Sequence, residues 1–214
     1  MEDKRVVTII GNIGVGKTTS LPLIAKALNA DIIRADELFQ VNPFRDNFLQ
    51  NPTRWALTNE IYLLHKRIKF IKDEIKNCKK QTIVIDSGIL MSWVYAKSHY
   101  LSGKITLDEW LFFEEIFSEW SQFALNTSLF YLHAPKETLL GRIKKRSRDF
   151  EIKLYKERYL EELESGLRDF CANFSKKMKN IIHIDTNSLN LSTSQKDKNT
   201  FIKSVKANFS ISEK

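Results

Sequence analysis

The sequence predicts an α/β fold: a P-loop NTPase-type, five-stranded parallel sheet with helices on both faces and an arginine-rich lid. Three observations carry that prediction. A glycine-rich loop joins an apolar strand to a helix near the N-terminus, and short β-branched runs then alternate with helical segments. The 214 residues suffice for one sizeable core without requiring a second domain, so residues 1–214 are read as a single unit.

The first strand is the β-branched run Val6, Val7, Ile9 and Ile10. It feeds Gly11, Asn12, Ile13, Gly14, Val15, Gly16, Lys17, Thr18 and Thr19, which fit G-x-x-x-x-G-K-[ST]. Glycines let successive backbone N–H groups turn toward phosphate oxygens, and the N-terminus of the following helix adds partial positive charge. Lys17 is expected against the β- and γ-phosphates of a nucleoside triphosphate, with the Thr18 hydroxyl on Mg²⁺.

Thr18 to Leu28 reads as a helix that tolerates Pro22 near its start. Asp31 to Arg34 follows as a second strand. Glu37 lies just beyond it, where an open parallel sheet places its ligand contacts. Residues 41–55, with Pro43 and Pro52, read as a loop. Thr53 to Asn77 carries Leu57, Ile61, Leu64, Ile68, Ile71 and Ile75 at alternating spacings of four and three, an apolar helical stripe. Gln81 to Ile85 is a third strand closed by Asp86, the Walker-B arrangement for the Mg²⁺ shell.

Helices are expected over Ile89–Tyr100 and Leu107–Asn126, then a strand over Leu129–His133 and a helix running into the basic stretch 142–149. A helix from about Ile152 to Lys179 and a last strand, Ile181–Asp185, complete the sheet. The polar tail after Thr186 reads as a mobile loop and a terminal helix.

The formal charge is +8, but the lysines are scattered along helices rather than gathered on one face, which argues against a nucleic-acid surface. Cys78 and Cys171 lie outside any metal-ligand spacing and read as reduced thiols. The chain starts MEDKRVV and enters a strand at once, and no apolar stretch is long enough to cross a bilayer. The expectation is a cytoplasmic protein without membrane attachment.

The reaction class follows from what accompanies the P-loop. An N-K-x-D guanine motif is absent, and Ser87 rather than a water-activating Glu follows Asp86. With Glu37 beyond the second strand, transfer to a bound hydroxyl is favoured over hydrolysis, which points to a small-molecule kinase. Arg142, Arg146 and Arg148 stand at i, i+4 and i+6 and suit a flap over the γ-phosphate, about residues 142–151.

These motifs, in this order, resemble the deoxyribonucleoside kinases over about Val6 to Leu167. GNIGVGKTT is similar to the family's P-loop, down to the Asn after the first glycine. ADELFQVNPF is similar to the segment whose Glu, five residues before Asn-Pro, is the general base, which implies that role for Glu37. RWALTNEIYLLHKR resembles the substrate-side helix, with Arg67 at its usual arginine. RIKKRSRDFE resembles the lid, whose closing acid, here Glu151, contacts the sugar 3′-hydroxyl. The resemblance implies transfer of the γ-phosphate of ATP, with Mg²⁺, to the 5′-hydroxyl of a deoxynucleoside, and a homodimer built from helix packing.

Three positions depart from the pattern. Ser87 replaces the arginine of an acidic-Arg-Ser triplet, Leu49 replaces a tyrosine near the 3′-hydroxyl, and Glu60 stands where a Gln commonly reads the base. An ionised carboxylate only accepts hydrogen bonds, and guanine presents the N1–H and N2–H₂ donors it needs, so deoxyguanosine, or another purine deoxynucleoside, is the expected substrate. A thymidylate-kinase-like monophosphate kinase stays open, with Arg34, Arg45, Arg54 and Arg67 available for an acceptor phosphate. A nucleotide-dependent nucleic-acid-binding module is a more distant alternative. The four histidines read as isolated and structural.

Overall fold

The computed structural model describes residues 4–125, 127–146 and 157–211. Five strands, β1 (Arg5–Gly11), β2 (Ala30–Arg34), β3 (Thr82–Asp86), β4 (Ser128–His133) and β5 (Asn180–Asp185), form one sheet in the order β2-β3-β1-β4-β5. Every pairing is parallel. Parallel neighbours need crossovers, and the helices that supply them cover both faces.

Strand alternation divides the core. Val7 and Ile9 of β1, with Val84, Phe130, Leu132, Ile182 and Ile184, face α1 (Lys17–Leu28), α7 (Lys136–Arg146) and α9 (Gln195–Ile211). Ile10, with Ile33, Ile83, Ile85, Leu129 and Tyr131, faces α3 (Pro52–Asn77), α4 (Ile89–Leu101), α5 (Leu107–Trp120) and α8 (Glu157–Phe174). The chain after Thr186, expected as a mobile loop and a terminal helix, does end in a helix. Phe201, Val205 and Phe209 of α9 are buried in the first of these cores.

Local differences from the sequence reading have simple causes. The stretch expected as a loop contains a 3₁₀ turn (Asp36–Phe39) and α2 (Arg45–Gln50), elements too short to show periodicity. Pro52 does not punctuate a loop but opens α3, where a missing N–H costs nothing; Asn51 caps that helix by accepting from Arg54 N at 3.2 Å. The helix expected over Leu107–Asn126 breaks after Trp120, where Ser121 Oγ donates to the Phe117 carbonyl at 2.5 Å, and α6 (Gln122–Leu125) is a separate turn.

The α3 face differs most. Leu64, Ile71 and Ile75 of the expected stripe are buried, but Leu57, Ile61 and Ile68 are only half-buried. The fully buried face instead includes Asn59, Glu60 and Arg67. A helix that buries two charged side chains beside Leu64, Ile71 and Ile75 borders a polar site as well as the core.

Candidate active site

A cavity of about 700 Å³ opens beyond the carboxyl ends of the strands, the usual ligand position in an open parallel sheet. The loop residues Ile13 to Thr19 form one wall; residues of α2, α3 and α4 form the other.

The glycine loop is shaped by close approaches. A Cβ on Gly11 would lie 2.5 Å from the Leu132 carbonyl oxygen, so β1 can run this near β4 only with a glycine at its end. Gly16, at φ +100°, turns the chain into α1. Lys17 Nζ donates to the Gly11 and Asn12 carbonyls at 2.8 and 3.1 Å, and Thr18 and Thr19 are exposed at the cavity wall.

Asn12, expected among the nucleotide-binding residues, directs its side chain away from this cavity. Its Nδ2 donates to Leu160 O at 2.8 Å and to Glu164 Oε2 at 3.1 Å, while its Oδ1 accepts from Ile13 N at 2.8 Å. Glu164 Oε1 in turn accepts a hydrogen bond from the Tyr131 hydroxyl. Burial and that carboxylate push the ionisation of the phenol well above its ordinary value. Asn12 therefore holds the loop from behind, against β4 and α8.

Asp86 closes β3 level with Ile9 and Arg34. It is buried and accepts from Ser87 Oγ at 3.1 Å. Ser87 has a left-handed backbone, φ +48°, that costs on the order of 1 kcal/mol in a non-glycine residue. Its N–H donates to Ile9 O at 3.3 Å, and the bend delivers the chain into α4 beside the cavity.

At the other wall a polar relay is sealed under the cavity. Phe44 N donates to Asn42 Oδ1 at 2.9 Å, Asn42 Nδ2 to Asn59 Oδ1 at 2.6 Å, and Asn59 Nδ2 to Glu60 Oε1 at 2.8 Å. His99 Nε2 lies 3.4 Å from the same oxygen. Arg67 donates to Ser92 Oγ at 2.6 Å and lies 5.8 Å from the Tyr95 ring. Lys104, its ionisation lowered by burial, sits 5.5 Å from the Tyr159 ring at the same cavity.

Of the expected acceptor-side residues, Glu60, Arg67, Leu49 and Ser87 line the cavity. Glu37 is exposed on the 3₁₀ turn; its neighbours Phe39 and Gln40 line the cavity and it does not. Arg34, Arg45 and Arg54 are not in the cavity wall, so Arg67 alone remains of the four arginines considered for an acceptor phosphate. Among the aromatic residues, Phe48 lines the cavity, whereas Trp93 is core and Trp55 stacks on Phe44 at 5.8 Å. Asn42, Asn59 and Lys104 were not singled out from sequence, and His99, read there as isolated and structural, lines the cavity beside Glu60. Polar residues within the turns of α3 that carry Ala56, Leu63 and Leu64 were the available signal.

The basic stretch is divided. Arg146 and Lys145 are exposed at the cavity. Arg142 also borders it, yet its guanidinium is engaged with the Val15 carbonyl at 3.2 Å, Thr186 Oγ1 at 3.1 Å and Thr186 O at 2.5 Å. It ties α7 to the glycine loop and to the end of β5. Arg148 and Glu151 lie outside the described residues.

A family model described as deoxynucleoside kinase matches residues 7–210. The chain belongs to the deoxynucleoside kinase family. It is an ATP-dependent kinase that moves the γ-phosphate to the 5′-hydroxyl of a deoxynucleoside. Among curated relatives, the deoxyadenosine/deoxycytidine kinase of Bacillus subtilis is 26% identical over 177 residues, covering 79% of this chain and 78% of its own. The deoxyguanosine kinase of the same organism is 28% identical over 161 residues, 74% of each chain. A structure of deoxyadenosine kinase from M. mycoides with bound dCTP superposes with a TM-score of 0.74 at 22% identity, over 96% of this chain and 99% of that one. The monophosphate-kinase alternative is not favoured by these relationships.

Arg142→Ala removes a donor fork from the Val15, Thr186 and Leu189 carbonyls and the Thr186 hydroxyl, and is expected to lower the unfolding free energy by about 2 kcal/mol. Urea denaturation of the variant beside the parent checks this; an unchanged midpoint would show that the guanidinium does not brace the loop.

Proposed function

We propose that this kinase prefers deoxyguanosine, and that Glu60 reads the base. The observation that carries this reading is the Glu60 carboxylate, 2% exposed in the cavity wall, with Oε1 occupied by Asn59 and Oε2 without a protein partner among the described residues. A carboxylate presents acceptors only, and the guanine edge is the one with two adjacent donors.

In the proposed mechanism Lys17 and the loop amides from Ile13 to Thr19 hold the triphosphate, with the α1 N-terminus adding partial positive charge. Asp86 and Thr18 offer one carboxylate and one hydroxyl, an oxygen-only set that suits Mg²⁺ completed by phosphate oxygens and water. Held by Asp86 and Thr18, a Mg²⁺ ion would supply charge neutralisation for the β- and γ-phosphates.

Glu37 orients the 5′-hydroxyl and accepts its proton. Its 3₁₀ turn borders the cavity, and catalytic hydrogen bonds often tighten only when substrate is bound. Arg146 and Arg148 close over the γ-phosphate; Arg142 contributes by fixing the base of that flap. Arg67 supplies further charge near the acceptor, and Glu151 holds the sugar 3′-hydroxyl. Because the transition state is loose, most of the acceleration comes from positioning and charge neutralisation.

We further propose a cytoplasmic homodimer. Leu107, Leu111 and Phe112 are exposed apolar side chains of α5, and the partly exposed Trp120 at its end packs on His65 of the neighbouring α3. Both cysteines are free, as a reducing compartment allows. No helix among the described residues is long and apolar enough to cross a membrane.

A competition assay with the four deoxynucleosides and ATP is expected to show deoxyguanosine preferred; a strong preference for deoxycytidine or thymidine would overturn the base assignment. Glu37→Gln is expected to lower kcat about a hundredfold while leaving ATP affinity intact, and full turnover would remove the proton-accepting role. Sedimentation should give a dimer that Phe112→Glu converts to monomer.

A further inference from the structure

Glu164 belongs to no sequence motif and lines neither wall of the large cavity. It stands on α8 behind the glycine loop, at a separate cleft of about 330 Å³ that it borders together with Asn12, Leu160 and Ser165. Its carboxylate takes two donors, the Tyr131 hydroxyl of β4 on Oε1 and Asn12 Nδ2 on Oε2 at 3.1 Å. A carboxylate brings no donor of its own, so both contacts are made at once.

Asn12 is 1% exposed, and its amide is engaged at both ends. Nδ2 gives its hydrogens to Leu160 O at 2.8 Å and to Glu164 Oε2, while Oδ1 takes the Ile13 N–H. Only one orientation of the amide fits, because a flipped group would set its oxygen against two acceptors. The backbone of the same residue belongs to the loop: its carbonyl accepts from Val15 N at 3.3 Å and from Lys17 Nζ at 3.1 Å. The peptide on which the phosphate-binding lysine rests is therefore aimed by a carboxylate 152 positions further along the chain.

That carboxylate is rigidly mounted. Leu163, Leu167 and Phe170 of α8 are buried in the core, and a Cβ on Gly166 would lie 3.0 Å from Val94 O of α4. On the other side Tyr131 belongs to β4, the strand whose Leu132 carbonyl lies against Gly11. Burial and the neighbouring carboxylate keep the phenol protonated, so its donor is always present.

We propose that Glu164 is a positioning residue for the triphosphate: acting through Asn12, it sets the loop peptide from which Lys17 reaches the phosphates. Neither Glu164 nor Asn12 lines the large cavity, so an effect of Glu164 on ATP travels through the loop and not by contact. This rests on the reading that Lys17 holds the triphosphate, and adds to it the residue that aims the lysine's resting place.

Steady-state kinetics with ATP and the deoxynucleoside that the unmutated kinase uses best, run well below the melting temperature of each variant, test this. Glu164→Ala is expected to raise KM for ATP about tenfold, the worth of one hydrogen bond to a charged group, with KM for the deoxynucleoside changed by less than about twofold. Glu164→Met, equal in length and without a strong acceptor, carries the same expectation should Glu164→Ala fail to fold. Glu164→Gln keeps one oxygen for Asn12 and an amide that donates to the Tyr131 oxygen, and should recover most of the ATP affinity. Tyr131→Phe leaves the Asn12 contact in place and should lower the melting temperature without moving KM for ATP. On an Asn12→Ser background, removing the carboxylate should add no further rise. An unchanged KM for ATP, an equal rise in both KM values, a Tyr131→Phe effect as large as that of Glu164→Ala, or additive effects of Asn12 and Glu164 would each overturn the proposal. Lys17→Met separates it from the reading beneath it. If Lys17→Met weakens ATP strongly and Glu164→Ala does not, only the Glu164 assignment fails; if Lys17→Met leaves ATP affinity unchanged, the loop reading fails with it.

Discussion

The structure depends on how closely the glycine loop passes over the sheet. Gly11 ends β1 against the Leu132 carbonyl of β4, with no room for a side chain, and the chain leaves from there into α1. Helix α7 presses on the other side: a Cβ on Gly14 would lie 2.9 Å from Leu139 O and 3.1 Å from Ile143 Cγ1. Asn12 ties the loop back to α8, and Arg142 ties its far end to Thr186. A phosphate cradle made of backbone N–H groups works only if the backbone is held before the ligand arrives. Here that rigidity comes from steric closeness on two sides and side-chain hydrogen bonds on the others.

The acceptor wall is built by a different principle. Burying Asn59, Glu60, Arg67 and His99 is costly in an apolar environment, and a half-satisfied network is worse than an apolar core. The relay from Phe44 N through Asn42 and Asn59 reduces that cost at one oxygen of Glu60 and leaves it at the other. Stability is forgone at the atoms that face the ligand, and the groups behind them are fixed. The same reasoning accounts for Ser87, whose strained backbone turns the chain from β3 into the helix that carries Tyr95 and His99.

Much of the donor half was legible in the sequence, because it is written in contiguous residues. The loop, the strand that feeds it and Asp86 at the end of β3 are local patterns with a fixed geometry. The order of strands and helices followed from periodicity, and the parallel sheet from their alternation. The acceptor half was legible only in part. Glu60 and Arg67 stood out through resemblance, but Asn42, Asn59 and His99 come from three separate elements, and nothing in their spacing announces that they meet. Hydrophobic periodicity placed Leu57, Ile61 and Ile68 inside α3, whereas tertiary packing turned the helix so that its polar residues were buried instead. Pro52 was read as a loop signal because the same residue serves turns and helix starts, and only the neighbouring cap distinguishes them.

The two walls of the cavity are therefore built from different kinds of group, backbone at the glycine loop and buried side chains opposite it. The loop binds through main-chain groups, so a side-chain change there acts mainly by disturbing the packing that holds the backbone. In the base-reading role proposed for Glu60, replacing one acceptor at the wall would change which edge fits without touching the sheet. Leu49 and Ser87 line the same wall as Glu60 and Arg67. An unmet buried polar atom is penalised more heavily than a missing apolar contact, so the buried polar side chains of this wall are where discrimination between acceptors is expected to arise.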